Sequence, residues 1–410
     1  MARNIITSLD VGTSTIQVVV AERMSGEANP RILGMGMVNS AGVRRGAIVD
    51  LDDATGAIRA AVEEARRSSG VPIRSVWVAT GGPHATISSS RGVVAVSRAD
   101  GEISQEDVRR AIAAAETFIP KNANREILHI IPRDFRVDHE AGVKDPVGMH
   151  GVRLEVDTLI IECSTPVLKN LFKCIEAAGL RIEDYVFSPL AAAEMALTKR
   201  QKELGVMLLD LGGGTASFIV FEEGMPLHAG VFPIGGNQIT NDVAIGFRTH
   251  VDTAEQIKCA YGSCGPAQFT KKDVIRLAEF VPEEQTVLGR RELAEIIEAR
   301  LGDIFELLQK ELKKIGRKEL LPGGVVLVGG SSLIPGVVEL TRYEIGLPVQ
   351  CGFPEILPEV DEKIRASFIV ALGTIQWAYS KTSGDYVGWA NHFSHIGQSG
   401  WVKWLKSLLP

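Results

Sequence analysis

Short apolar runs rich in β-branched residues recur along the chain, and the sharpest of them end at glycine-bearing turns. Residues 5–9 (IITSL) and 16–21 (IQVVVA) predict two strands joined by the turn Asp10-Val-Gly-Thr-Ser14. Residues 206–209 (VMLL) and 216–221 (ASFIVF) predict the same unit around Asp210-Leu-Gly-Gly-Gly-Thr215. The two aspartates stand 200 positions apart, far beyond any solenoid period, so the pattern predicts a duplicated domain. A third glycine motif, Gly329-Gly-Ser-Ser-Leu-Ile-Pro-Gly336, follows a predicted strand at 325–328 and precedes a helix at 337–344. Amphipathic spacing predicts helices at 52–68, 105–116, 166–178 and 291–314, with Ser104 as an N-cap and Gly70 and Gly179 as stop signals. In the longest, Leu293, Ile296, Ile297, Leu301, Ile304, Phe305 and Leu308 keep a 3.6-residue period. Strands alternating with helices imply an α/β fold with buried sheets.

Two regions depart from this rhythm. Residues 83–162 hold short alternating segments (Gly92–Ser97, Ile127–Pro132, Arg153–Cys163) and one or two helices, the texture of a small inserted α+β module. Residues 380–400 are polar with no clear period and read as a linker or irregular tail. The segment after it, Gly400-Trp-Val-Lys-Trp-Leu-Lys-Ser-Leu-Leu-Pro410, is different. At 100° per residue, Trp404, Leu405 and Leu408 fall within about 60° of Trp401, and Val402 and Leu409 flank them. Lys403, Lys406 and Ser407 take the opposite arc. Tryptophans on the apolar face suit a headgroup boundary and lysines suit anionic lipid, so the segment predicts an amphipathic membrane-targeting helix. The alternative is a terminal helix docked on the protein's own core.

Composition narrows the classes. With 44 Lys plus Arg against 50 Asp plus Glu, the net charge is −6, which argues against nucleic acid as a partner. Apolar residues at 45% and charged residues at 23% match a folded protein long enough for two or three domains. No run of 18 apolar residues predicts a membrane span, and the N-terminus lacks a signal-peptide pattern. The five cysteines are scattered without a CxxC pair and read as thiols of a reducing compartment.

An Asp-x-Gly turn followed by a hydroxyl residue has a physical logic. Glycines let successive backbone N–H groups point into one anion-binding concavity, and Thr and Ser hydroxyls add donors. The aspartate repels phosphate; its role is to hold a divalent cation through water, and the cation bridges the phosphates. Two such turns facing each other would clamp a nucleotide from both sides. Taken singly, either turn also fits an ordinary hairpin connection. At the third motif, Gly329, Gly330 and Ser331 suit backbone packing against a flat adenosine.

These motifs, in this order, resemble the actin/Hsp70/sugar-kinase superfamily and, within it, the FtsA family of bacterial cell-division proteins. The likeness rests on Ser8-Leu-Asp-Val-Gly-Thr-Ser14, Leu209-Asp-Leu-Gly-Gly-Gly-Thr215, Phe232-Pro-Ile-Gly-Gly-Asn-Gln-Ile-Thr-Asn-Asp242, Ala254-Glu-Gln-Ile-Lys258 and Val328-Gly-Gly-Ser-Ser-Leu-Ile-Pro-Gly336. It implies an actin-like, ribonuclease H-like fold: duplicated ATPase domains around a nucleotide cleft, an inserted α+β subdomain 1C and a C-terminal amphipathic helix. It implies ATP or ADP with Mg2+, Gly12, Thr13 and Ser14 on one side of the phosphates, and Gly212, Gly213, Gly214 and Thr215 on the other. Asp10 and Asp210 would hold the magnesium's water, Glu255 and Lys258 would lie near the ribose and base, and Gly235 and Gly236 would close the cleft. Glu255 and Lys258 also fit a solvated helix face.

The same resemblance divides the chain. Subdomain 1A takes 1–82, 163–203 and 360–382; 1C takes 83–162; 2A takes 204–240 and 323–359; 2B takes 241–322; a linker takes 383–399 and the membrane helix 400–410. It implies filament formation, recruitment of later division proteins through 1C, and binding of the FtsZ C-terminal peptide in 2B, at the septal face of the cytoplasmic membrane. There Arg300 would pair with the acidic peptide, with Lys310 and Lys313 as weaker candidates; each also fits a solvated helix face. No motif supplies a residue to orient an attacking water, so weak ATPase activity at most is expected. A PilM-like scaffold of type IV pili, a small-molecule kinase and an Hsp70-type chaperone are the rival readings.

Overall fold

In the computed structural model, which describes residues 4–24, 30–117, 124–353 and 362–383, the apolar runs assemble two sheets of one design. The first takes its strands in the order Arg31–Asn39, Thr15–Glu22, Ile5–Val11, Ser75–Thr80, Arg181–Phe187. The second runs Met225–Phe232, Ala216–Glu222, Val206–Leu211, Val325–Val328, Val349–Cys351. In each, three antiparallel strands precede two parallel ones. The register agrees as well: Asp10 opposes Gln17, and Asp210 opposes Ser217.

The halves differ in where they are elaborated. In the first, the crossover between the parallel strands Ser75–Thr80 and Arg181–Phe187 carries the inserted module. That module is a four-stranded sheet, Ala85–Ala95, Arg153–Ser164, Arg125–Val137, Glu140–Val143, with helix Gln105–Thr117 packed on it. Its first strand begins earlier than the alternation at 92–97 indicates, because residues 85–91 (ATISSSR) are polar and hide the period. In the second half the addition lies before Val325–Val328: helices Gly236–Phe247, Val251–Tyr261 and Arg290–Lys314 with a short hairpin, Val274–Arg276 against Val287–Gly289.

The predicted helices form where their stop signals place them. Helix Leu51–Ser69 starts at Asp50, whose carboxylate accepts from the Asp52 and Asp53 N–H groups at 3.0 Å, and ends at left-handed Gly70. Two helices have no amphipathic period at all: Ser188–Ala196 and Ile369–Ser383. Leu190 to Ala193 of the first and Ile369, Val370 and Trp377 of the second join the cluster shared by the two sheets, and burial on most sides leaves these stretches without a polar face. Helix Ile369–Ser383 runs to Ser383, into the stretch read from sequence as irregular. One buried cluster joins Ala79 and Phe187 of the first sheet, Leu208, Phe221 and Val328 of the second, Leu190 and Trp377 of these helices, and Ile131 and Leu159 of the insert. The rest of the 383–399 linker and the segment 400–410 lie outside the described residues.

Candidate functional site

The two Asp-x-Gly turns sit at equivalent ends of equivalent hairpins and face each other. Gly12 N–H closes the first turn on Thr15 O at 3.1 Å. A small hairpin, Val43–Arg44 against Ala47–Ile48, steadies it by donating Gly46 N–H to Thr13 Oγ1 at 3.0 Å. The second turn is held by the N-terminus of helix Gly236–Phe247: Gly236 N–H donates to Gly212 O at 2.9 Å and Asn237 N–H to Gly213 O at 2.7 Å. The turns meet directly. A Cβ added at Gly213 would overlap Ser14 Oγ, and one at Gly214 would press on Thr13. Ser14 Oγ also donates across the gap to Asn237 Oδ1 at 3.2 Å.

Behind the turns lie the two carboxylates. Burial pushes the Asp10 carboxyl up to about 7, and the charge of Asp210 adds to it; burial alone pushes Asp210 up to about 6. Two sheltered carboxylates at one cleft, both held above their ordinary range, make a cation-accepting pair. Among the described residues no cluster of three or more His, Cys, Asp or Glu side chains is arranged to hold a metal directly. Asp10 and Asp210 thus fit a hydrated divalent cation held through its waters.

The opposite wall is built from the glycine motif and helix Val251–Tyr261. Gly329 adopts φ +85°, and a Cβ there would overlap Asp210 Oδ1, so only glycine fits beside that carboxylate. Ser332 Oγ donates to Gly329 O at 2.7 Å and fixes the bend. Lys258 Nζ donates to Glu255 Oε2 at 2.6 Å, Thr240 Oγ1 at 2.9 Å and Gly236 O at 3.3 Å. Burial raises the Glu255 carboxyl, but bonds from Lys258 and Thr240 outweigh it and hold the group below its ordinary range.

One cavity of about 470 Å³ joins these parts. Asp10, Gly12, Thr13, Ser14, Asp210, Gly212, Gly213, Gly214, Thr215, Gly236, Glu255, Lys258, Gly329, Gly330 and Ser331 all line it. Gly235 is not among the lining residues; a Cβ there would press on Gly212 O at 2.5 Å, and its N–H donates to Gln238 Oε1 at 2.8 Å. It seats the helix beneath the second turn. Arg300 lies on helix Arg290–Lys314, engaged with Asp242 at 2.6 and 3.0 Å and with Asp303 at 2.9 Å. Lys310 pairs with Glu306 at 2.7 Å. Trp401, Val402, Lys403, Trp404, Leu405, Lys406, Leu408 and Leu409 lie outside the described residues. Gln17, Gly46 and Asn237 line the cleft without a motif of their own; Asn237 stands inside the Gly235–Asp242 segment, and Gln17 interrupts an otherwise apolar strand.

A family model described as cell division protein FtsA matches residues 207–373, and another, described as the SHS2 domain inserted in FTSA, matches residues 82–162. The cell division protein FtsA of Pseudomonas aeruginosa is 34% identical over 381 residues, covering 92% of this chain and 90% of that protein. That of Bacillus subtilis is 37% identical, covering 90% and 82%. The chain belongs to the FtsA family. It is an actin-like cell-division protein. A solved PilM–PilN type IV pilus biogenesis complex matches with TM-score 0.66 at 17% identity, over 91% of this chain and 98% of that one. MreB5 of Spiroplasma citri bound to ADP matches with TM-score 0.52 at 14% identity, over 92% and 96%. Both share the actin-like fold; the relation to the pilus biogenesis complex extends to the fold alone, while the sequence relation is to FtsA.

Proposed function

We propose that this FtsA-family chain binds ATP or ADP with Mg2+ between its two turns and tethers FtsZ filaments to the cytoplasmic membrane at the septum. The observation that carries the nucleotide reading is the pair of matched hairpins bringing Asp10 and Asp210 to one cleft, each raising the demand for a cation. The MreB5 structures of the same fold are bound to AMPPNP and to ADP, which supports it. When bound, Mg2+ neutralises phosphate charge and links it to the protein. The chain's own part is positional: Gly12 to Ser14 and Gly212 to Thr215 supply donors, Asp10 and Asp210 hold water ligands, Glu255 and Lys258 orient the sugar side, and Gly329 to Ser331 support the base. Because the turns touch at Gly213 with Ser14 and at Gly214 with Thr13, entry of phosphate requires them to part, which couples nucleotide to the angle between the halves.

The membrane reading rests on the pattern of 400–410. About six partly buried apolar side chains give on the order of several kcal/mol, reversible anchoring for one copy. A filament carrying many tails binds far more tightly; the MamK double helical filament, with TM-score 0.51, shares the fold. Partners are the FtsZ C-terminal peptide on the second-half helices, with Arg300 exchanging Asp242 for the peptide's acid, other copies of the chain, anionic lipid and later division proteins.

Asp210→Ala should weaken Mg2+-ATP binding by roughly tenfold or more, read by titration calorimetry; unchanged affinity overturns the cation assignment. Sedimentation with anionic liposomes tests the tail: the full chain should pellet and a chain lacking 400–410 should not, and equal pelleting removes the membrane assignment. A titration with an FtsZ C-terminal peptide tests the partner, and absence of binding sinks it.

A further inference from the structure

Gln17 is 2% exposed in the middle of strand Thr15–Glu22, yet it lines the cleft. It stands directly opposite Asp10 on the neighbouring strand, so the two side chains share a face of the sheet. Its Nε2 donates to Thr15 Oγ1 at 3.0 Å and reaches Met37 Sδ at 3.9 Å. Its Oε1 is buried and has no hydrogen-bond partner among the described residues. Turned over, the oxygen would meet the Thr15 hydroxyl, which can donate, but would also face the Met37 sulfur, which has no proton to give; the orientation with Nε2 there satisfies both contacts. The matching position in the second half is Ser217, whose side chain is too short for the same reach.

An unmet amide oxygen beside a carboxylate accepts and does not donate. It repels phosphate oxygen and suits a group that brings protons, and a hydrated cation brings them on its water. We propose that Gln17 Oε1 accepts a hydrogen bond from a water ligand of the divalent cation held at Asp10 and Asp210, which makes Gln17 a positioning residue for cation-bound nucleotide. This rests on the nucleotide reading given above. The first half of the duplication then supplies two acceptors to the hydration shell and the second half one.

The test is ATP binding by the full chain in Mg2+ and in EDTA, for wild type, Gln17→Leu and Gln17→Glu. Wild type should bind more tightly with Mg2+. Gln17→Leu, of similar size, should lose most of that gain and raise the half-saturating Mg2+ about tenfold, with affinity in EDTA unchanged. Gln17→Glu restores an acceptor and should need no more Mg2+ than wild type, which a packing role would not explain. Equal loss in Mg2+ and EDTA, an unaffected Gln17→Leu, or Gln17→Glu behaving as Gln17→Leu each overturns the assignment while leaving nucleotide binding intact. Absence of ATP binding by wild type overturns the nucleotide reading and this one together.

Discussion

His129 belongs to the insert but serves the junction of the two halves. Its Nε2 accepts from Phe187 N–H at 3.0 Å, at the start of buried helix Ser188–Ala196. Its ring meets Trp377 edge-on with centroids 5.5 Å apart. Burial, and then the charge of Lys381, push its pKa down to about 3. The folded state keeps it neutral, whereas the unfolded chain takes up a proton below about 6.5. Stability is therefore fully present above that pH and is lost as the pH falls towards 3, at up to about 1.4 kcal/mol per pH unit. His129→Gln keeps an acceptor and never charges. Between pH 7.5 and pH 5 its urea-unfolding free energy should fall about 2 kcal/mol less than that of wild type; equal losses would show that another group dominates. Neither His129 nor Gln17 is legible in the sequence, because each role depends on a neighbour chosen by register or by tertiary contact. Asp10 and Asp210 are legible because a strand, a glycine turn and a hydroxyl recur in one local string.

Among the elements, amphipathic helices and hairpins read directly from their periods. Helices Ser188–Ala196 and Ile369–Ser383 do not, since stretches such as Pro189–Ala193 and 369–375, buried throughout, carry no period to detect. Helix Gln105–Thr117 shows how a cap turns into a lock. Asp107 is fully buried and accepts from Ser104 N–H at 2.9 Å, Ser104 Oγ at 2.6 Å and Ser97 N–H at 3.0 Å, and it pairs with Arg110. Burial raises its carboxyl, but the bonds from Ser104, Arg110 and Ser97 outweigh that and hold it well below the usual carboxylate range. Ser104 Oγ returns the favour by accepting from Asp107 N–H at 3.3 Å. Asp107→Ala strands two backbone donors, a cost of about 2–4 kcal/mol, while the half-exposed Arg110 keeps its bond to Ala95 O. Amide exchange within 105–117 should speed up about 30-fold or more while strand Val206–Leu211 stays protected. Protection of the helix at the wild-type level would mean that its apolar face, with Val108, Ala111 and Ile112, holds it without the lock.

For the whole molecule, the duplication was visible in two turns and their strands, but the manner in which the halves are joined was not. Sheets of this size are commonly parts of separate folding units, and separate transitions are the ordinary expectation for a chain of 410 residues. Here both sheets contribute to one buried layer with the insert and the two apolar helices. Those helices touch backbone to backbone: a Cβ at Gly373 would overlap Ala191 O. Exposing one sheet uncovers the other, so the halves should unfold in a single step. Trp77 reports the first sheet, Trp377 the shared layer, and exchange of Val206–Leu211 the second sheet. Their urea midpoints should coincide. Gly373→Leu drives a wedge between the helices and should lower all midpoints together by roughly 2–4 kcal/mol of stability, as overpacking and backbone separation add. A variant in which the first sheet melts early while Val206–Leu211 keeps its wild-type midpoint would show that the layer is a lubricated joint between independent halves. Coincident midpoints would instead mean that parting the two turns is a bending of one cooperative body, with the helices at Ala191 and Gly373 as its fixed axis.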